Sequence, residues 1–115
     1  MKTTEYLSIW KEREAEEARR RDLAIKRAKA VANILRKKYK AKDVILFGSL
    51  IWRPKFLWQG TDIDLLVTGL EDAKYFEILA DVAEAAHPFH LDLIPCEKAW
   101  PAVKERAQKE GMKLV

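Results

Sequence analysis

The sequence predicts an α/β layered domain with a long helix, or two in series, ahead of it, and three observations carry that expectation. Residues 5–39 contain no glycine or proline and are mostly strong helix formers. Beyond residue 41, short apolar runs alternate with stretches of helical periodicity, the pattern of strands and helices stacked in layers. The chain has 115 residues, 49% of them apolar, which suffices for one core and is too little for two.

Residues 1–40 read as an N-terminal charged helix and 41–115 as the core, within a single domain overall. In the second half of the helix, Ala24, Ala28, Val31 and Leu35 recur at spacings of three and four, the stripe of a helix packed on a core. Between positions 11 and 22 almost every residue is charged except Ala15 and Ala18, so this half is expected to project into solvent or onto a partner. Tyr6, Leu7, Ile9 and Trp10 are too apolar for a free tail and are expected to fold back on the domain or to pack in an oligomer.

Residues 43–47 form a buried strand and 62–67 a second. Residues 71–86 read as a helix with Phe76, Leu79, Ala80 and Ala83 inward, and 89–94 as a third strand bracketed by Pro88 and Pro95. A further helix spans 97–110 with Gly111 as its C-terminal cap, and 112–115 make a short final strand.

A formal net charge of +4 suits a protein that handles polyanions such as nucleotides, and it leaves RNA open as a partner without establishing nucleic-acid binding. Cys96 is the only cysteine, which excludes an intramolecular disulfide and a cysteine-based metal framework. The densely charged N-terminal region argues against secretion, and no apolar run approaches the ~20 residues that span a bilayer. A soluble, cytoplasmic protein is expected.

The chemistry concentrates at two apolar runs. The first, 44–47, breaks at Gly48-Ser49; the second opens with Asp62-Ile63-Asp64. Alternation along a strand sets Asp62 and Asp64 on one face, with Cα atoms about 7 Å apart. Two such charges repel by roughly 2.5 kcal/mol at an effective dielectric of about 20, and a hard cation such as Mg²⁺ is the simplest compensation. Otherwise Asp62 ends a loop and Asp64 faces water on an edge strand. Asp92 lies mid-strand between Leu91 and Leu93, where burial is costly unless the carboxylate is paired or bound to metal. Three such carboxylates suffice for two ions, with Asp92 also available as a general base; the alternative is an ion pair with a helix lysine or arginine. Gly48-Ser49 permits close backbone approach to phosphate, or simply a tight turn. His87 and His90 show no ligand pattern with each other and read as surface or turn residues, and Cys96 as a small buried side chain.

Leu46-Phe47-Gly48-Ser49, then Asp62-Ile63-Asp64-Leu65-Leu66-Val67, then Leu91-Asp92-Leu93-Ile94 together resemble the DNA polymerase β superfamily of nucleotidyltransferases. The small size and the ending Lys109-Glu110-Gly111-Met112-Lys113-Leu114-Val115 are similar to its minimal members, the MNT proteins. The resemblance covers roughly residues 41–115. It implies a small mixed sheet with flanking helices, a nucleoside triphosphate bound at Gly48 and Ser49, and Mg²⁺, two ions, held by Asp62, Asp64 and Asp92. Many members carry an arginine directly after Gly-Ser; here Leu50 stands there, so that cation contact is either missing or displaced to Arg53 or Lys55. The segment 50–61 interleaves Trp52, Phe56 and Trp58 with these cations, a composition for stacking a base or for packing on core or partner.

Minimal members typically pair as antitoxins with a helical HEPN toxin, and some transfer AMP from ATP to it. The resemblance therefore implies a protein adenylyltransferase antitoxin, with a non-catalytic antitoxin bearing a vestigial nucleotide site as the alternative. Transfer to RNA or to a small molecule such as an aminoglycoside is disfavoured, because a chain this short is expected to lack a domain that recognises such an acceptor.

Overall fold

The computed structural model describes residues 3–52 and 62–115. One unbroken helix, α1 (Thr3–Tyr39), leads into β1 (Asp43–Phe47) and a single helical turn, α2 (Ser49–Trp52). Then follow β2 (Ile63–Thr68), α3 (Tyr75–Ala86), β3 (Leu91–Pro95), α4 (Pro101–Glu110) and β4 (Met112–Lys113). Short 3₁₀ turns, Asp72–Lys74 and Cys96–Lys98, precede α3 and α4. The second turn and Pro101 at the first position of α4 delay that helix past the predicted start at 97.

The four strands form a mixed sheet in the order β3-β2-β1-β4. β1 pairs antiparallel with both β2 and β4, whereas β2 and β3 are parallel and joined by the α3 crossover. Beyond β4, Leu114 N–H donates to the Val44 carbonyl at 2.8 Å and Val44 N–H to Val115 at 3.2 Å, so the expected pairing of 112–115 with the sheet is present.

Alternation gives the sheet two apolar faces. Val44, Leu46, Ile63, Leu65, Val67, Leu91 and Leu93 face α1 and α3, where Ala24, Ala28, Val31 and Leu35 meet them as the sequence predicts. Each fully buried leucine or valine there contributes about 1.5–3 kcal/mol. Phe47, Leu66 and Ile94 face the other way, under Ala107 and Val103 of α4, and Cys96 is buried with them.

The inward face of α3 differs from the predicted one. Ile78, Val82 and Ala86 are buried, with Tyr75 and Leu79 partly so, while Phe76 is 81% exposed and Ala80 and Ala83 are exposed. Glu77, Asp81 and Glu84 recur at spacings of four and three and form a polar stripe, and the buried residues lie on the side away from it, whereas Phe76, Ala80 and Ala83 lie on its flank. Lys38 and Tyr39 at the end of α1 both bond Asp81 of α3, at 2.8 and 2.5 Å, holding the two helices in register.

Gly111 ends α4 as expected, for a steric reason rather than a left-handed one: its φ is −76°. A Cβ there would overlap the Ala107 carbonyl oxygen and lie 2.5 Å from Ile45 Cγ2. Gly111→Ala is expected to cost about 1–3 kcal/mol by overpacking, read as a lower urea midpoint at unchanged slope.

The first half of α1 has no sheet beneath it. Residues 4–16 are exposed, and Tyr6, Leu7, Ile9 and Trp10 remain 46–53% exposed, so they do not fold back on the domain. Tyr6 and Trp10 meet only edge to face, 5.9 Å apart. The molecule is correspondingly long, 58 × 29 × 19 Å, close to the ~55 Å that a 37-residue helix spans. No helix among the described residues is long and apolar enough to cross a membrane.

Candidate active site

The strand register assembles the site. Phe47, the last residue of β1, stands opposite Asp64, and Asp64 stands opposite Asp92. Ile63 and Leu91 form the next pair and turn into the core, which leaves Asp62, Asp64, His90 and Asp92 together on the other face. Farther along that face α4 covers Leu66 and Ile94, but the covering stops short of this end: the side chains of Asp62 and Asp92 are 44% and 50% exposed.

Asp92 is therefore not the buried mid-strand carboxylate expected from its apolar neighbours. β3 is the outer strand of the sheet, so Asp92 has a strand neighbour on one side only, and α4 does not cover this end. Desolvation falls instead on Asp64, on the interior strand β2, and the alternative of Asp64 facing water on an edge strand does not hold. Burial, then the negative charges of Asp92 and Asp62, push its carboxyl up to about 6 from the usual 3.8. A hydrogen bond with Asp92 adds to the rise, and His90 opposes it. His90 Nδ1 lies 3.6 Å from Asp62 Oδ1 and 3.9 Å from Asp92 Oδ1. Among the described residues no lysine or arginine pairs with these carboxylates, so the ion-pair alternative for Asp92 lacks its cation there.

Gly48 closes the site from β1. It is buried with φ of +83°, a region that disfavours any side chain, and a Cβ would overlap Asp64 Oδ2. Gly-Ser and Asp-x-Asp, fourteen residues apart in the chain by the difference of 62 and 48, thus meet in space. Ser49 follows, exposed, at the start of α2, whose turn is closed by Trp52 N–H donating to the Gly48 carbonyl at 2.9 Å.

Leu50 is fully buried, and its carbonyl accepts a hydrogen bond from Arg21 Nε of α1 at 3.3 Å. Trp52 packs on Phe47 and carries the Arg106 guanidinium 3.7 Å above its ring, a contact within the fold rather than a face held open for a base. Arg53, Lys55, Phe56 and Trp58 lie outside the described residues. His87 is exposed as expected. His90 is exposed as expected, and it also lies beside the aspartates. Its signal was the spacing to Asp92: His90-Leu91-Asp92 repeats the polar-apolar-polar pattern of Asp62-Ile63-Asp64.

The model of the nucleotidyltransferase domain family matches residues 28–114, about three-quarters of the chain. The chain belongs to that family. Two solved structures share the fold of this nucleotidyltransferase domain. One is a mutant MntA–HpeT toxin–antitoxin complex, at 20% identity and a TM-score of 0.61, covering 76% of this chain and 71% of that one. The other is assigned as a minimal nucleotidyltransferase, at 19% identity and a TM-score of 0.62, covering 80% of this chain and 93% of that one. No curated protein sequence matches the domain. The long outer half of α1 precedes the part that the family model matches.

Proposed function

We propose that this domain transfers a nucleoside monophosphate, AMP from ATP being the leading candidate, to a hydroxyl of a partner protein, as the antitoxin of a pair with a helical HEPN-type toxin. The observation that carries the transferase reading is the convergence of Gly48, Asp62, Asp64 and Asp92 at one open sheet end. The partner reading takes its support from the fold shared with one member of a toxin–antitoxin complex.

The residues present fit a divalent cation. Three carboxylates converge without a lysine or arginine among the described residues, and Asp64 resists ionising until something offsets its neighbours. Asp62, Asp64 and Asp92 would hold Mg²⁺, and two ions when the triphosphate adds its own oxygens. Bound there, the metal supplies charge neutralisation for the phosphates and the departing pyrophosphate.

The chain's own groups account for the remainder. Gly48 leaves Asp64 the space to face the open edge, and the exposed Ser49 hydroxyl is a donor for phosphate oxygen. Asp92, half-exposed on the outer strand, is the group an incoming hydroxyl reaches, and it accepts that proton as the oxygen attacks the α-phosphorus. The bond to pyrophosphate breaks in the same displacement, so catalysis is mainly positioning and electrostatics.

Incubation with Mg²⁺ and each α-labelled nucleoside triphosphate, with and without a co-expressed helical toxin, followed by intact mass of each chain, tests this. The expected result is one or more added nucleotide units on the partner, reduced at least about 10²-fold in Asp62→Asn. A second reading, a non-catalytic antitoxin, draws on Leu50, which is buried where many members carry an arginine. Full neutralisation of the toxin by Asp92→Asn, with no added mass in the wild type, favours that reading and refutes the first.

A further inference from the structure

The residue that the site holds beyond the three aspartates is His90, and its placement is built in. The His90 carbonyl receives the Ile63 N–H at 2.8 Å, tying the approach to β3 to the start of β2. Leu91 is buried, so alternation turns His90 to the same side as Asp92. The imidazole stands over the gap between Asp62 and Asp92, and one donor atom of each of the three lies within 4.8 Å of the others.

Those separations are ion-pair distances when the imidazole is protonated, and they equally suit donors gathered around one ion. At 3.6 and 3.9 Å, Nδ1 is too far from either carboxylate oxygen for a hydrogen bond. Two donors bound to one ion about 2.1 Å away lie roughly 3 Å apart when adjacent and about 4.2 Å when opposite. A small rotation of exposed side chains spans the difference. The donor set would then contain nitrogen as well as oxygen. Mg²⁺ prefers oxygen ligands, whereas imidazole suits the divalent transition metals.

We propose that His90 Nδ1 joins Asp62 and Asp92 as a metal ligand, making one position of the site a mixed nitrogen–oxygen centre that takes Mn²⁺- or Co²⁺-class cations in preference to Mg²⁺. This rests on the reading that the aspartates hold metal. It revises the all-magnesium expectation for that one position and leaves Asp64 facing the second.

Calorimetric titration of the full-length, chelator-stripped protein with Co²⁺, Mn²⁺ and Mg²⁺ separately tests it, with the visible spectrum of the Co²⁺ form as a second readout. Co²⁺ is expected to bind at least about tenfold more tightly than Mg²⁺, and His90→Ala to erase that advantage, since even outer-sphere partners alter metal affinity by about 10–100-fold. Mg²⁺ affinity stays within about twofold in the variant, which also reports that it is folded. The Co²⁺ spectrum changes in His90→Ala as nitrogen leaves the coordination sphere. Unchanged Co²⁺ affinity and spectrum in His90→Ala, with binding lost in Asp62→Asn, overturns the histidine assignment alone. Metal binding unaffected by either substitution overturns the aspartate reading as well.

Discussion

Asp64→Asn is expected to make the metal-free protein more stable at pH 7.5 while removing its transferase activity. In the folded chain the Asp64 carboxyl is raised to about 6, above its ordinary 3.8, because it is half-buried beside Asp92 and Asp62. A raised carboxylate favours folding only while it is protonated. Its contribution is complete below pH 3.8 and is lost as pH rises through about 6. The full shift corresponds to about 3 kcal/mol, and solvent screening of a group nearly half exposed reduces this to roughly 1–2 kcal/mol. Asparagine carries no charge to bury, so at pH 7.5 its thermal midpoint should exceed the wild type's by about 3–8 °C. Below pH 4 the two should coincide. A divalent cation should raise the wild-type midpoint and close the gap. An asparagine variant less stable than the wild type at pH 7.5 in chelator would refute the strain assigned to this carboxylate.

Gly48→Ala is expected to lower both stability and turnover, through two separable causes. The positive φ of +83° costs an L-residue about 1–2 kcal/mol, and the overlap of the new methyl with Asp64 Oδ2 adds about 1–3 kcal/mol of overpacking. Displacing Asp64 should also reduce turnover by roughly 10²-fold, the scale of an ångström-sized misplacement. A double-mutant cycle with Asp64→Ala divides the two: without the carboxylate the overlap with Oδ2 is gone, leaving the backbone strain and a 3.3 Å contact with the remaining Cβ. Strict additivity of the two substitutions would show that Gly48 and Asp64 do not press on one another. Denaturant melts of the four proteins supply the numbers.

The aspartates and Gly48 were legible in the sequence because strand alternation is a strong constraint. Once 62–67 is a strand, Asp62 and Asp64 share a face whatever surrounds them. The strand order was not legible, and it decides which carboxylate is desolvated: Asp92 has a strand neighbour on one side only because β3 is outermost, and Asp64 carries the burial because β2 is not. His90 is the surface residue expected, yet its proximity to Asp92, two residues onward, is not visible in a comparison with His87 three residues back. The buried face of α3 is legible from its acidic residues rather than its apolar ones: Glu77, Asp81 and Glu84 mark the outer side, and Phe76 shows how little its hydrophobicity alone reveals about its position. The charge density of positions 11–22 marks the projecting half correctly as far as Arg19, but Arg20 and Arg21 already turn onto the core, where they meet the Phe89 ring and the Leu50 carbonyl.

α1 is one continuous hydrogen-bonded rod with two thermodynamic regimes. From Ala24 onward its opening requires the core to come apart, so that half shares the stability of the whole fold. Before Arg20, whose guanidinium sits 5.4 Å from the Phe89 ring, the helix is held by its own backbone bonds and nearest side-chain pairs. The outer turns can therefore unwind and rewind as a local unit while the sheet, and the four polar side chains at its end, keep their places. Ordering those turns is an entropic cost confined to one end of the rod, and it is met without any rearrangement of the sheet end that carries the aspartates.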